Sequence, residues 1–448
     1  MYSFSLKNFK SYENATLKLD NVTVLVGANA SGKSNLIEAL QLTAWIAQGR
    51  RLSDLAFAAE KQELNLRGTL ENLLLDPQKP VEFVCDTFGY NRVKNNPPKP
   101  VLLTLSLSLE HTDNHLLLNE EQLQLFYLHS DTEQSRASDT ILYRTEGRVD
   151  GGSDLAVAYN NFKKGKNPQI LCNDQQAVFT QLQTPARFGN GHEKASEVIP
   201  YYASYVQNNL LRSLFLDPHP ARMRGYAFPT KRLQSDGANV SGVLHEICKD
   251  PQQKQVLLGF VQQLPEQQIR DIDFLRGPRG EAMVALEETF GEVHEKREAA
   301  ILSDGTLRVL TIAAALLSVE EGSLVVIEEI DNGVHPSRSE QLLASIQTLA
   351  EAKNLRVLVT THNPALLDAL PSKMVPNVVF CFRDPQTGQS RLVKMEEIQD
   401  YSSLIAQGPL GALLTRRLID KFVKHPKSDE DRRQQNKTLI DSLRAELP

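Results

Sequence analysis

Apolar residues follow two rhythms along this chain of 448 residues, and the switches between them outline its elements. Leu17–Leu19 and Val22–Val26 are short extended runs, and Asn35–Ala47 places Leu36, Ile37, Leu40 and Ala44 on one helical face. From Val81 to Arg144 the period drops to two, most plainly at Leu103, Leu105, Leu107 and Leu109, which predicts antiparallel hairpins around a loop at Asn95–Pro100. Gly147–Gln207 is weakly periodic and rich in Gly, Asn, Gln and Lys, and reads as an irregular insertion, mobile in part. Residues 240–270 read as helical and Ala282–Phe290 as a strand. Leu324–Ile327 and Val357–Thr360 are near-continuous apolar runs, as parallel strands buried on both faces are, with a helix over Ser337–Ala352 between them. Val378–Phe382 and Arg391–Met395 flank a Pro385/Gly388 turn, so the sheet is expected to end in a hairpin. A polar stretch with a short helix over Glu430–Ala445 follows.

These elements predict an α/β fold with a mixed parallel core sheet, an antiparallel β subdomain and an inserted irregular or helical region. The expected divisions are an N-terminal lobe at 1–146, an insertion at 147–280, a C-terminal lobe at 281–420 and a polar tail at 421–448. Composition then narrows the class. With 41% hydrophobic and 23% charged residues, the chain is a folded globular protein rather than a disordered one. A net charge of −6 gives no global case for binding nucleic acid and leaves a local basic patch open. Cys85, Cys172, Cys248 and Cys381 are scattered, which argues against a zinc site or a disulfide framework and fits a reducing compartment. No apolar run approaches the roughly 18 residues of a membrane span, and the first residues alternate and carry charges; a cytoplasmic protein with no membrane partner is expected.

Four segments carry chemistry. Gly27-Ala28-Asn29-Ala30-Ser31-Gly32-Lys33-Ser34 is GxxxxGK[ST] between an apolar strand and the helix that Asn35 continues. Its glycines let backbone amides turn toward phosphates, and the helix N-terminus adds the positive end of its dipole. Lys33 is expected at the β- and γ-phosphates and the Ser34 hydroxyl at magnesium. Leu324–Ile327 runs into Glu328 and Glu329, where the first carboxylate would hold magnesium and the second polarise the attacking water. The first position more often carries Asp, and the longer Glu328 can reach a metal directly or through water. Ser303-Asp304-Gly305 opens an apolar helix about twenty residues earlier, a serine cap with exposed amides. Thr360-Thr361-His362-Asn363-Pro364 puts His362 at the C-terminal end of the next strand, beside any nucleotide bound at the sheet edge.

In this order the four motifs resemble the P-loop, signature, Walker B and switch histidine of ABC-type ATPases of the RecF, SMC and OLD families. They are closer still to a bacterial group carrying LSDGT-R, EExxNGxHP and THNP, as in Glu328–Pro336 here; Ser235–Asn239 looks like that group's DGxN segment. The resemblance implies an ABC-ATPase-like head that binds ATP and Mg2+ and hydrolyses ATP through Glu329 and His362. It also implies a homodimer or higher homo-oligomer in which Ser303 and Gly305 reach the partner's nucleotide, with Asp331 and Asn332 in a D-loop at the interface. Members of this group often sit in antiviral defence operons (Septu, PARIS, retron-linked) beside a separate effector, so a separately encoded nuclease is an expected partner. A RecF-like role in DNA repair, or an ATP-binding scaffold of slow turnover, stays open beside it. There is no long coiled-coil insertion, no zinc hook and no Toprim carboxylate cluster after His362. Gln122 and Gln124 are the candidates for a Q-loop, and Phe9 and Tyr12 lie where adenine stacks in such folds, although alternation places Phe9 in the core.

Overall fold

The computed structural model describes residues 1–91, 99–112, 115–128, 136–262, 268–290, 292–332, 336–398 and 401–424. The predicted helix at Glu430–Ala445 and the Asn95–Pro98 part of the predicted loop lie outside these residues. Lys99 and Pro100, assigned to that loop, begin a strand instead.

Three sheets build the molecule. Along the chain, β1 (Ser3–Phe9), β2 (Tyr12–Lys18) and β3 (Val22–Val26) lead to the first helix, Lys33–Ile46. The hairpins follow as β4 (Val81–Asn91), β5 (Lys99–Thr112), β6 (His115–Leu128), β7 (Arg136–Arg148), β8 (Asp154–Tyr159) and β9 (Gln169–Asn173). Except for β3 these form one eight-stranded antiparallel sheet, in the order β2-β1-β4-β5-β6-β7-β8-β9. The predicted irregular insertion is therefore corrected. Part of Gly147–Gln207 extends this sheet, and Glu193–Leu211 is a helix burying Ile199, Tyr202, Ala203 and Val206. Its polar composition misled because one face of such elements is solvated, while a few well-spaced apolar residues hold the other face to the core.

A six-stranded sheet carries the motifs: β10 (Leu214–Leu216), β14 (Leu324–Ile327), β15 (Arg356–Thr361), β3, β16 (Val378–Arg383) and β17 (Ser390–Lys394), in that spatial order. All pairs are parallel except the terminal β16–β17 hairpin, which the sequence anticipated. The third sheet consists of β11 (Ile269–Arg276), β12 (Ala282–Phe290) and β13 (Val293–Glu298).

The central strands β14, β15 and β3 are buried on both faces, which explains their near-continuous apolar runs. Leu25, Leu324, Val326 and Leu358 join the core shared with the large sheet and the Lys33–Ile46 helix. Val24, Val325, Ile327, Val357 and Val359 point to a second core, with residues of helices Val240–Ile247, Asp304–Ser318 and Pro336–Ala352. The sheet is thus clamped from both sides, and the loops at the C-terminal ends of its strands stand on a rigid base. Lys353 reinforces one corner by donating to the carbonyls of Leu316, Leu317 and Val319 at the end of the Asp304–Ser318 helix. Among the described residues no helix is long and apolar enough to cross a membrane.

Candidate functional site

Parallel order puts the ends of β3, β14, β15 and β16 on one edge, and there the Gly27–Ser34 loop, Glu328, Glu329 and His362 lie. The Gly27–Ser34 loop leaves β3 and is gripped from outside. Gly27 has no room for a side chain, since a Cβ would stand 2.3 Å from the Cys381 carbonyl oxygen on β16. Gly32 has φ +121°, and a Cβ there would stand 2.2 Å from Ser390 Oγ. Ser390 Oγ donates to the Ser31 carbonyl at 2.6 Å, Tyr12 Oη to the Gly32 carbonyl at 3.2 Å, and Arg383 Nε to the Ala30 carbonyl at 3.0 Å. Asn35 Nδ2 donates to Ser11 Oγ, tying the helix start to the first hairpin. Ala30 occupies the left-handed region at φ 64°, a conformation that usually calls for glycine.

Lys33 is folded onto its own loop, donating to the carbonyls of Gly27 at 2.5 Å and Ala28 at 3.1 Å. Burial lowers its pKa, while Cys381 and Glu329 act to raise it. Ser31 is 4% exposed, and its Oγ has no hydrogen-bond partner among the described residues. A buried hydroxyl left unpaired inside an amide-rich loop is chemistry waiting for an acceptor or donor from a ligand.

Glu328 and Glu329 end β14 next to this loop. Burial first, then Asp217, pushes the Glu328 carboxyl up to about 7, with Arg67 acting in the opposite sense and Glu329 and Glu38 adding to the rise. Glu38 lies one helical turn after Ser34, on the same helix face. Glu328 thus lies within electrostatic reach of the face of the Lys33–Ile46 helix that carries Glu38 and Ser34. Glu38 is itself buried and paired to Lys10 and to Arg67, whose Nε reaches Glu38 Oε1 at 2.6 Å. Lys10, Glu38, Arg67 and Asp217 were not singled out from the sequence. The spacing of Glu38 four residues past Ser34 was the only available signal, and it names no partner. The donor set fits a hard divalent cation: a hydroxyl and a crowded, burial-stressed carboxylate that a positive charge would relieve. Among the described residues no three His, Cys, Asp or Glu side chains could by themselves hold a metal; magnesium usually takes only one or two protein oxygens beside substrate phosphates.

Glu329 has φ 47°, left-handed for a non-glycine residue, and its backbone N–H donates to Thr360 Oγ1 at 2.9 Å. Asn332 Nδ2 donates to the Glu329 carboxylate, and Thr361 Oγ1 donates to Asp331 Oδ1, both at 2.6 Å. Gly333, Val334 and His335 lie outside the described residues. Two neighbouring strand ends thus hold the two-carboxylate turn in a strained conformation of the kind that concentrates at functional sites. His362 is exposed at the end of β15, and Asn363 caps the Pro364–Asp368 helix behind it. A cavity of about 540 Å³ is lined by Gly27, Ala28, Asn29, Ala30, Ser31 and His362, whereas Gly32, Lys33, Ser34, Glu328 and Glu329 are not among its lining residues.

Other candidates fall elsewhere. Ser303 caps the Asp304–Ser318 helix, its Oγ accepting from Thr306 N at 3.1 Å, and Arg224 braces the turn through the Leu302 carbonyl and Asp304. Ser303 and Gly305 do not line the cavity; Ser303 is exposed and Gly305 half-buried. The Ser235–Asn239 segment is a turn with Gly237 at φ +75°, and its Ser235 carbonyl accepts from Asp217 N at 2.9 Å. Gln122 and Gln124 sit mid-strand in β6 and bond to each other and to Asp139, so the fold does not bring them to the P-loop. Phe9 and Tyr12 are both 0% exposed; each is core, and neither offers a ring to adenine.

Two family models match in succession: "AAA ATPase domain" over residues 1–133 and "AAA domain, putative AbiEii toxin, Type IV TA system" over residues 204–368. The chain is 22% identical over 375 residues to an "ATP/GTP phosphatase" of Helicobacter pylori, covering 82% of this chain and 86% of that protein. It is 38% identical over 247 residues to the "DNA replication and repair protein RecF" of Rickettsia felis, covering 53% of this chain and 60% of that protein. With RecF of Gloeobacter violaceus the identity is 42% over 73 residues, covering 16% of this chain and 20% of that one. The chain thus spans less than two thirds of either RecF relative. Among solved structures, an SMC head bound to the C-winged helix domain of ScpA aligns at TM-score 0.41 and 12% identity, over 88% of this chain and 96% of that one. The SMC head domain from Thermotoga maritima aligns at TM-score 0.36 and 13% identity, over 88% and 97%. Both matched models describe ATPase domains, one over the stretch that holds the Gly27–Ser34 loop and the other over the stretch that holds Glu328, Glu329 and His362, so the chain is similar to ATPases in both parts.

Proposed function

We propose that the chain binds ATP at the Gly27–Ser34 loop and hydrolyses it to ADP and phosphate. The observation that carries this reading is the orphaned Ser31 hydroxyl in a cavity that His362 also lines, together with Lys33 turned onto the carbonyls of the lining residues Gly27 and Ala28. In this reading a bound triphosphate draws Lys33 off Gly27 and Ala28, and the loop amides with Asn35 at the helix start surround its phosphates. Glu329, held by Asn332, polarises the attacking water, and His362 contacts the terminal phosphate. Ser34 and Glu328 would hold Mg2+, which neutralises developing phosphate charge. The test is turnover of ATP by the purified protein with magnesium, beside Lys33→Ala and Glu329→Gln. Binding lost in Lys33→Ala and turnover lost in Glu329→Gln is the expected pair, and wild-type turnover in Glu329→Gln would end the assignment.

ATP would drive two heads together, with Ser303 and Gly305 completing the partner's site; Ser303 stands exposed at the start of its helix, open to such a contact. The closed dimer would act as a switch on a separately encoded effector, a nuclease in antiviral defence. The Rickettsia felis match favours a second reading, a RecF-like role in DNA repair or maintenance with nucleic acid as ligand. Copurification from the native host, identifying bound protein or nucleic acid, separates the two.

A further inference from the structure

Part of the cavity lining comes from outside the nucleotide motifs. It comes from two short helices near the end of the described chain, Leu410–Thr415 and Leu418–Lys424, through Leu414, Thr415, Arg417, Ile419 and Val423. These helices are bolted to the element that follows His362. Gly411 packs so closely on the Pro364–Asp368 helix that a Cβ would stand 2.0 Å from the Pro364 carbonyl oxygen, and its N–H donates to Asp368 Oδ1 at 2.6 Å. Leu410 and Leu413 are buried beside them.

Arg417 sits in the break between the two helices. Its backbone is left-handed at φ 55°, its N–H donates to the Leu414 carbonyl, and its carbonyl accepts from Lys421 N. The break therefore has fixed hydrogen bonds on both sides, and a non-glycine residue bears the cost of that conformation. The two arginines of this cavity differ in their engagements. Arg383 is spent on the Ala30 and Gly388 carbonyls. The exposed Arg417 guanidinium has no acceptor among the described residues. No described residue lining the cavity is a carboxylate, whereas loop amides, an imidazole and two guanidinium groups are present. Which part of a nucleotide would lie here follows from Lys33. Its ammonium rests on the carbonyls of Gly27 and Ala28, which line this cavity, and His362, expected at the terminal phosphate, lines it as well.

We infer that Arg417 binds the terminal phosphate of the nucleotide in the same chain, so that the 410–424 helix pair senses whether ATP or ADP is present. The inference rests on the ATP reading above. A guanidinium is suited to the task because it stays charged and can bond two phosphate oxygens at once. Because the helix pair is fastened to the Pro364–Asp368 helix, a pull on Arg417 reaches the element that positions His362.

The experiment is equilibrium binding of ATP, ADP and AMP with magnesium to wild type, Arg417→Ala, Arg417→Lys and Arg417→Gly. The glycine variant relieves the left-handed backbone, so a loss of binding in it cannot be assigned to strain at that residue. Arg417→Ala and Arg417→Gly are each expected to weaken ATP by roughly tenfold or more, ADP far less and AMP not at all, with Arg417→Lys in between. Unchanged ATP affinity in the alanine and glycine variants, or an equal loss for all three nucleotides, overturns the inference while leaving the ATP reading intact. If wild type and Lys33→Ala bind ATP equally, or neither binds it, the ATP reading fails first and this inference falls with it.

Discussion

The side-chain amide of Asn332 donates to the carboxylate of Glu329 at 2.6 Å, within a turn that holds Glu329 at φ 47°. The residue read as the general base is therefore oriented by the loop read as the dimer contact. Assembly of two heads would act on Asn332 and through it on the water-polarising oxygen.

Glu329→Gln keeps the shape and removes the basicity, so turnover should fall by about 10² to 10⁴ while ATP binding persists. Asn332→Ala leaves the carboxylate but frees its rotamer, and a smaller fall in kcat with KM retained is expected. Steady-state kinetics on both variants decide it; Asn332→Ala matching wild type would mean that the hydrogen bond orients nothing of consequence.

The P-loop glycines have different sensitivities. Gly27→Ala must push the loop off β16, because the new Cβ would meet the Cys381 carbonyl oxygen at 2.3 Å, so both nucleotide affinity and melting temperature should drop. Ala30→Gly goes the other way: it removes a left-handed alanine and should stabilise the protein by about 1 kcal/mol. Thermal melting of both variants checks the pair, and a lowered melting temperature for Ala30→Gly would contradict the strain.

Stability should depend on pH through Glu328, whose carboxyl is pushed from its ordinary 4.5 up to about 7 by burial and by Asp217. The native state then keeps a proton that the unfolded state gives up, so this contribution favours folding below the ordinary value and is lost as pH climbs from 4.5 to 7. Removing the acid removes the loss. The stability gap between Glu328→Gln and wild type should widen in favour of the variant across that window, by something on the order of 2–3 kcal/mol, and level off above it. Glu121, also raised to about 7 by burial, adds its slope to both proteins and cancels in the difference. Urea unfolding at stepped pH measures the gap; a flat gap would show that Glu328 ionises freely in the fold. Magnesium and ATP together should narrow it at neutral pH.

The subunit arrangement has its own test. A Lys33→Ala chain mixed with a Ser303→Arg chain can form one intact composite site, so ATPase activity should partly return. If mixed dimers form, as shown by two affinity tags, and no activity returns, the two motifs do not complete one site in trans.

Local chemistry was sufficient for much of this protein. The glycine loop before a helix, the strand ending in Glu328 and Glu329, and the β16–β17 hairpin each depend on neighbours in sequence: positive φ, helix dipole, unbroken apolar runs. Period two sufficed for the hairpins for the same reason, since alternation is imposed on each strand by its own two faces. Gly147–Gln207 was misread because a strand or helix covered on one side needs few apolar residues, and their partners lie far along the chain. The rest of the site needed the tertiary structure. Lys10, Glu38, Arg67 and Asp217 gather around the loop and Glu328 from four separate segments, and Arg417 reaches the P-loop cavity from nearly four hundred residues away. Through-space charge and desolvation decide what such groups do, and neither has a signature in the local order of residues.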